Sequence, residues 1–342
     1  MLKLLVDDRW NKSGIKRFYE ELVIRIDPLF AVSRLTEGWH LTRALNPLNP
    51  IWLAGELRRM RPDVFWSPGF MSPISSPVPF IFTVHDLIHA RSARGVRAAY
   101  FQLVLRKLCK RAYKIVTVSE FSRNEICEWA GLSPDRVVRI YNAVSRSFTS
   151  DGWKFSPGYP YLLYVGVHTA HKNLHRTLQA FARSGLSSQC KLLFSGEQNP
   201  ALRAAARELG IGDSLQFAGF ISDADLPAYY RGALGLVMLS TYEGFGLPLL
   251  EAMACGTPVL CSNVTSLPEV AGDAAFMVNP IDIDEMADGI RRIVCDESLR
   301  TELIAKGLAH CLRFSWDESA RELSNLLIEA TETGKEGGSC RR

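Results

Sequence analysis

The stretch "LGLVMLSTYEGFGLPLLEAMACGTPVLCS", Leu234 to Ser262, decides how this chain folds. Its two ends, "LGLVMLS" and "TPVLCS", are apolar runs of strand length. The segment between them carries a short helical pattern bracketed by Pro248, which suits a first helical turn, and Gly256, which suits a helix stop. Strand, loop, helix and strand in that order form one unit of a parallel sheet. The loop "TYEGFG" then lies at the carboxyl end of its strand, where open α/β sheets place their ligands. Gly244 and Gly246 let the backbone approach a bound molecule closely.

The alternation continues in both directions. Upstream, "YLLYVGV", "CKLLFSG" and "LQFAGF" read as strands, separated by the helical patterns "KNLHRTLQAFARSG", "ALRAAARELG" and "ADLPAYYRGA", and "FMVNP" closes this sheet downstream. The amino-terminal half repeats the scheme with "LKLLVDD", "PDVFWSPG", "PFIFTVHDL" and "AYKIVTVSE" as strands, and with "IKRFYEELVIRI" and "SRNEICEWAG" as helices. Between the halves, "RSFTSDGWKFSPGYP" from Arg146 loses all periodicity and gathers Gly, Pro and Ser, as a linker does. The chain of 342 residues is therefore expected to form two doubly wound α/β domains, 1–150 and 151–312. A helix over 313–330 is expected to pack back on the first domain, with an irregular tail at 331–342.

Composition narrows the class. Apolar residues at 47% and charged residues at 22% fit a globular protein and argue against disorder. No apolar run is long enough for a membrane span, and Asp7 and Asp8 interrupt the amino terminus too early for a signal peptide, so a cytoplasmic location is expected. The eight cysteines lack zinc spacing and read as reduced, mostly buried thiols. The net charge of +4 is small but uneven: Arg91 to Lys114 holds eight basic residues and no acidic one. With Tyr100, Phe101, Leu103, Val104 and Leu105 interleaved, this segment reads equally as a basic helix lying on an anionic bilayer or as a core helix with a solvated basic face. It lacks any nucleic-acid reading motif, so nucleic acid is not an expected partner.

At the loop itself, the amino end of the helix favours an anion such as a phosphate. Glu251, one turn in, is placed either to accept hydrogen bonds from vicinal hydroxyls or simply to face solvent. Glu243 either accepts from hydroxyls of a second group or merely complements the helix dipole.

The run "EGFGLPLLEAMACGTPV", Glu243 to Val259, resembles the glutamate-pair motif of retaining glycosyltransferases of family 4, with seven residues between the two glutamates. The likeness continues in "SLPEVAGDAA", "YLLYVGVHTAHKNLHRTLQAFA", "FTVHDL", "TVSEFSRNEI" and "RIYNAV", and is nearest to bacterial mannosyltransferase-like enzymes of surface-polysaccharide assembly. It implies a GT-B fold, two Rossmann-like domains facing a central cleft. It also implies that Glu251 binds the ribose of a nucleotide-sugar and that Glu243 contacts the transferred sugar. Backbone around Gly244, Phe245, Gly246 and Leu247 would hold sugar and diphosphate. Lys172 would neutralise the diphosphate, whose negative charge grows as it leaves. His85, beside Asp86, would stand near the sugar, and Gly14 would allow the diphosphate close approach. The family's arginine a few residues before the lysine is absent: "GVHTAHK" offers His168 in that stretch, and Arg203 is a candidate to compensate.

The implied reaction is metal-independent transfer of a hexose with retention. GDP-mannose is the first donor and a UDP-hexose the second, no cofactor is needed, and a saccharide or lipid-linked oligosaccharide accepts. Glu243 would position the sugar rather than attack it, unlike a glycosidase carboxylate. The rival reading is a catalytically weak donor-binding subunit of a transferase assembly, resting on the missing arginine.

Overall fold

The computed structural model describes residues 1–9, 13–36 and 48–339. The chain divides into two compact units, one of Met1–Asn142 with the residues from Ser315 onward, and one of Ala143–Phe314.

The first unit is a six-stranded sheet of β1 (Leu2–Asp7), β2 (Phe30–Leu35), β3 (Val64–Ser67), β4 (Phe80–Thr83), β5 (Lys114–Thr117) and β6 (Val137–Arg139), ordered β2-β1-β3-β4-β5-β6 and parallel throughout. β3 and β4 are buried at every position, because helices cover both faces of the sheet. Leu5, Phe65, Phe82 and Ile115 meet Leu53 and Leu57 from the helix Asn49–Met60 and Ile126 from the helix Glu120–Ala130. Each such side chain contributes about 1.5–3 kcal/mol when fully buried, an upper figure since unfolded chains are themselves partly compact. Strands β2 and β6 and the helix Asn49–Met60 are absent from the reading of the sequence. β2, an edge strand, exposes Ser33 and Arg34, and β6 has only three residues, so neither leaves an apolar run.

Two expectations are corrected in this unit. The basic segment is not one helix but Ile88–Ser92, Val96–Tyr100, a π-helical turn Phe101–Leu105 and Arg106–Cys109, broken where Gly95 turns left-handed at φ 57°. Leu105, Leu108 and Cys109 face inward, whereas Arg106, Lys107, Lys110 and Leu103, 63% exposed, face out. The carboxyl end is helical over Trp316–Ser339, past the expected start of an irregular tail at 331. Tyr113 Oη donates to Glu329 Oε1 at 2.6 Å and lies 3.4 Å from Thr333 Oγ1, which ties the next turn down. The same helix holds Asp317 against Arg25 at 2.8 Å and Ser319 against the Tyr141 carbonyl at 2.7 Å.

The second unit is a parallel sheet of β7 (Tyr161–Tyr164), β8 (Lys191–Phe194), β9 (Leu215–Phe217), β10 (Gly235–Met238), β11 (Val259–Ser262) and β12 (Phe276–Val278), ordered β12-β11-β10-β7-β8-β9. The chain winds outward from β7 through β8 to β9, then crosses to β10 and winds the other way. That reversal puts a crevice outside the carboxyl ends of β7 and β10. Two further helices, Ile283–Cys295 and Glu297–His310, went unread in the sequence. The linker-like stretch is a packed loop: Phe155 stacks on Tyr229 with ring centroids 4.0 Å apart, and Arg231 binds the Thr149 and Trp153 carbonyls.

Candidate active site

The loop after β10 enters the helix Leu247–Ala254 through Gly246, whose φ of 101° is left-handed. A Cβ at that position would stand 2.5 Å from Leu267 Cδ2, so any other residue would strain the backbone and also push the buried Leu267 side chain aside. Pro248 lies in the first turn, and Gly256, at φ 68°, follows the last. The loop after β11 fixes the one after β10. Ser266 Oγ lies 2.9 Å from the Glu243 carbonyl and 3.0 Å from that of Phe245, and the Glu243 N–H donates to Thr265 Oγ1 at 3.3 Å. Phe245 packs edge-on against Phe314, centroids 5.9 Å apart. No side chain caps the helix, so its amino-terminal dipole is presented to whatever lies beside it.

Lys172 reaches this loop from β7. After β7 the chain makes a short 3-10 turn, Ala170–Lys172, and then Asn173 adopts φ 59°. The buried Asn173 amide donates to the Leu239 carbonyl at 3.0 Å and to that of Pro280 at 2.7 Å, and the Thr241 N–H donates to the His171 carbonyl at 2.8 Å. These bonds join the two loops at the crevice. Lys172 Nζ thereby lies 2.7 and 2.9 Å from the two oxygens of Glu243. Both side chains are almost covered, 13% and 11% exposed, so solvent screens this pair far less than a surface one.

Glu251 is not a solvated helix residue: it is 3% exposed, and Tyr230 Oη donates to its Oε2 at 2.8 Å. Tyr230 comes from the helix Leu226–Gly232 and is itself fully buried.

Other expected residues lie as follows. His168 is half-buried among Tyr164, Phe194 and Phe217, and its Nε2–H donates to the Ser195 carbonyl at 2.8 Å. Tyr164 Oη beneath it donates to the Val167 carbonyl at 2.8 Å, and burial first, then the Glu243 charge, push this phenol well above its usual range. Arg203 does not compensate for the absent arginine: it holds the Gly212 and Leu215 carbonyls at 3.1 and 2.6 Å. In the first unit, His85 donates Nε2–H to the Pro68 carbonyl at 2.8 Å and meets Phe18 edge-on. Burial holds its pKa below the usual imidazole value, against the opposing pull of the Pro68 carbonyl and Asp86. Gly14 is exposed but lies in the first turn of the helix Ser13–Val23, not in the strand-to-helix loop where the sequence reading put it. Tyr230, Asn173 and Ser266 were missed in the sequence, and only Asn173, next to Lys172, carried a local signal. Among the described residues no three His, Cys, Asp or Glu side chains gather as a metal cage.

Residues 15–148 match the model of Glycosyltransferase Family 4, and residues 145–310 match that of Glycosyl transferases group 1. The O-antigen chain mannosyltransferase B of Escherichia coli is 32% identical over 305 residues, 83% of this chain and 78% of that protein. The chain belongs to glycosyltransferase family 4. Its fold is that of two solved structures. One is a sucrose-phosphate synthase from Thermosynechococcus elongatus (TM-score 0.77, 18% identity, 97% of this chain and all of that one at 100%). The other is Anabaena Alr3699/HepE in complex with UDP-glucose (TM-score 0.75, 18% identity, 96% and 100%). This glycosyltransferase is thus of the GT-B class and of the bacterial mannosyltransferase-like kind, and the described residues contain no helix long and apolar enough to cross a membrane.

Proposed function

We propose that this glycosyltransferase moves a hexose, with mannose from GDP-mannose as the first candidate and a UDP-hexose as the second, onto a saccharide or lipid-linked acceptor in surface-polysaccharide biosynthesis. The observation that carries this reading is the Lys172–Glu243 pair beside a helix amino end that also bears the buried Glu251. Glu251 takes the ribose hydroxyls. Backbone of Gly244, Phe245, Gly246 and Leu247 holds sugar and diphosphate, and Lys172 exchanges Glu243 for the diphosphate when the donor enters. Released from the ammonium, Glu243 turns to the sugar hydroxyls. His85 is assigned to the sugar and Gly14 to the diphosphate on family resemblance alone.

In the reaction the bond from the anomeric carbon to the diphosphate oxygen breaks, and the acceptor oxygen bonds to the same face. The acceptor proton passes to the leaving phosphate. Lys172 and the helix dipole stabilise the charge that develops there, so the reaction is proposed to need no metal and to retain configuration.

The outward row of Leu103, Arg106, Lys107 and Lys110 supports peripheral contact with an anionic membrane, where a lipid-linked acceptor would lie. A second reading, a catalytically weak donor-binding subunit of a glycosyltransferase assembly that does not bind donor alone, is favoured by one observation, that Arg203 and His168 are both engaged by backbone carbonyls. Heat denaturation against a panel of nucleoside diphosphates and nucleotide-sugars, beside Glu251→Ala, tests both. One nucleotide is expected to raise the melting temperature, and the variant to lose that rise. No rise with any of them would leave only the second reading.

A further inference from the structure

We propose that Tyr230 is a positioning residue for donor recognition. Its hydroxyl fixes the Glu251 carboxylate in the orientation that receives a ribose diol, and so sets how far the protein prefers a ribonucleotide to its 2′-deoxy counterpart. The inference rests on the reading of Glu251 as the ribose-binding group.

The geometry of the pair is unusually constrained. A carboxylate accepts and does not donate, so the 2.8 Å contact is the phenol hydrogen aimed at Oε2. A donor at one oxygen biases the rotation of the carboxylate and occupies one of its acceptor positions, leaving the others for further donors. The tyrosine in turn cannot drift. Its own carbonyl accepts from Thr257 Oγ1 at 2.7 Å, just beyond the end of the Glu251 helix. The preceding carbonyl, of Tyr229, accepts from Tyr161 Oη at 2.7 Å. Two residues later Gly232 lies so close to the Phe155 carbonyl that a Cβ would stand 2.1 Å from it. The Phe148 ring packs against that of Tyr230, centroids 6.0 Å apart. A short helix clamped at three successive points thus delivers one hydroxyl to one buried carboxylate. Burial makes the bond matter, because little water reaches a carboxylate at 3% exposure to replace a lost donor.

Calorimetric titration with GDP, 2′-deoxy-GDP, UDP and 2′-deoxy-UDP tests this on three proteins: wild type, Tyr230→Phe and Thr257→Val. Wild type is expected to bind the ribose form of one nucleotide about tenfold tighter than its deoxy form. Tyr230→Phe keeps the ring and should bring that ratio close to one, mainly by weakening the ribose form. With the preferred donor its KM should rise while kcat stays within about twofold, the mark of lost uniform binding. Thr257→Val removes one clamp on the same helix and leaves the phenol and the other clamps in place, so it should lower the melting temperature and shrink the ratio much less than Tyr230→Phe does. A ratio retained in Tyr230→Phe, or lost equally in Thr257→Val, would overturn the positioning role. A wild type that does not distinguish ribose from deoxyribose, or binds no nucleotide, would overturn the reading of Glu251 itself, and that outcome is seen before any variant is made.

Discussion

Lys172 and Glu243, 71 residues apart in the chain, meet through one ammonium shared between both carboxylate oxygens at 2.7 and 2.9 Å. The cation at the carboxyl end of the sheet is therefore already neutralised, and a diphosphate that enters as proposed would have to compete with Glu243 for it.

Replacing Lys172 by Ala should lower turnover about 10²- to 10³-fold, the range for losing one preorganised donor to a developing negative charge. Glu243→Gln should behave differently. It releases the ammonium, so donor affinity should hold or improve while turnover falls. Titration calorimetry beside a transfer assay at saturating donor separates the two, and equal loss of affinity in both variants would contradict the exchange.

Gly246→Ala should cost about 1–3 kcal/mol of stability for its left-handed φ of 101°. The contact with Leu267 adds to that, since a Cβ would come within 2.5 Å of it. Urea unfolding measures this, and a variant as stable as wild type would show that the loop repacks freely.

His85 makes stability depend on pH. Its pKa in the folded state is lowered by burial, from an unfolded value near 6.5. Above about pH 6.5 both states are neutral and the group contributes nothing to the pH slope. As pH falls through that value the unfolded chain takes up the proton first, so stability declines by at most about 1.4 kcal/mol per pH unit until the folded pKa is passed. His85→Gln should flatten this decline in urea midpoints between pH 5 and 8. An unchanged slope would mean that other groups carry it.

Thiol labelling should be sharply uneven. Burial pushes Cys109 and Cys261 up to about 12, and both are buried with Cys190, Cys255 and Cys311, whereas Cys295 is exposed. Among these, Cys295 should react first with a neutral-pH thiol reagent and the buried five only on unfolding, as mass spectrometry of the labelled peptides would show.

Sedimentation with anionic vesicles should fall several-fold when Arg106, Lys107 and Lys110 are changed together to Gln, since each basic residue near such a surface adds about 1 kcal/mol. Neutral vesicles should not bring the protein down. Unchanged sedimentation with anionic vesicles would remove membrane contact from the proposal and leave the chemistry intact.

The amino-acid sequence by itself determined the alternation of strands and helices, the doubly wound class, and the glycine-rich loop and short helix that carry Glu243 and Glu251. These are local properties: apolar runs of four residues, helical spacing, and the conformations that only glycine and proline tolerate. What it left unread were elements with weak local patterns, such as the edge strand β2, and the continuation of the terminal helix past 330, tied down by Tyr113 from far along the chain. Tertiary structure alone decided the partnerships. Lys172 reaches Glu243 because β7 and β10, far apart in sequence, pair side by side with Leu163 opposite Leu236. Glu251 is buried rather than solvated because a second helix brings Tyr230 over it, and Arg203 is taken up by carbonyls rather than by the site. Spacing along a chain specifies which face of an element a side chain occupies. Only the order in which strands pair specifies what that face will meet.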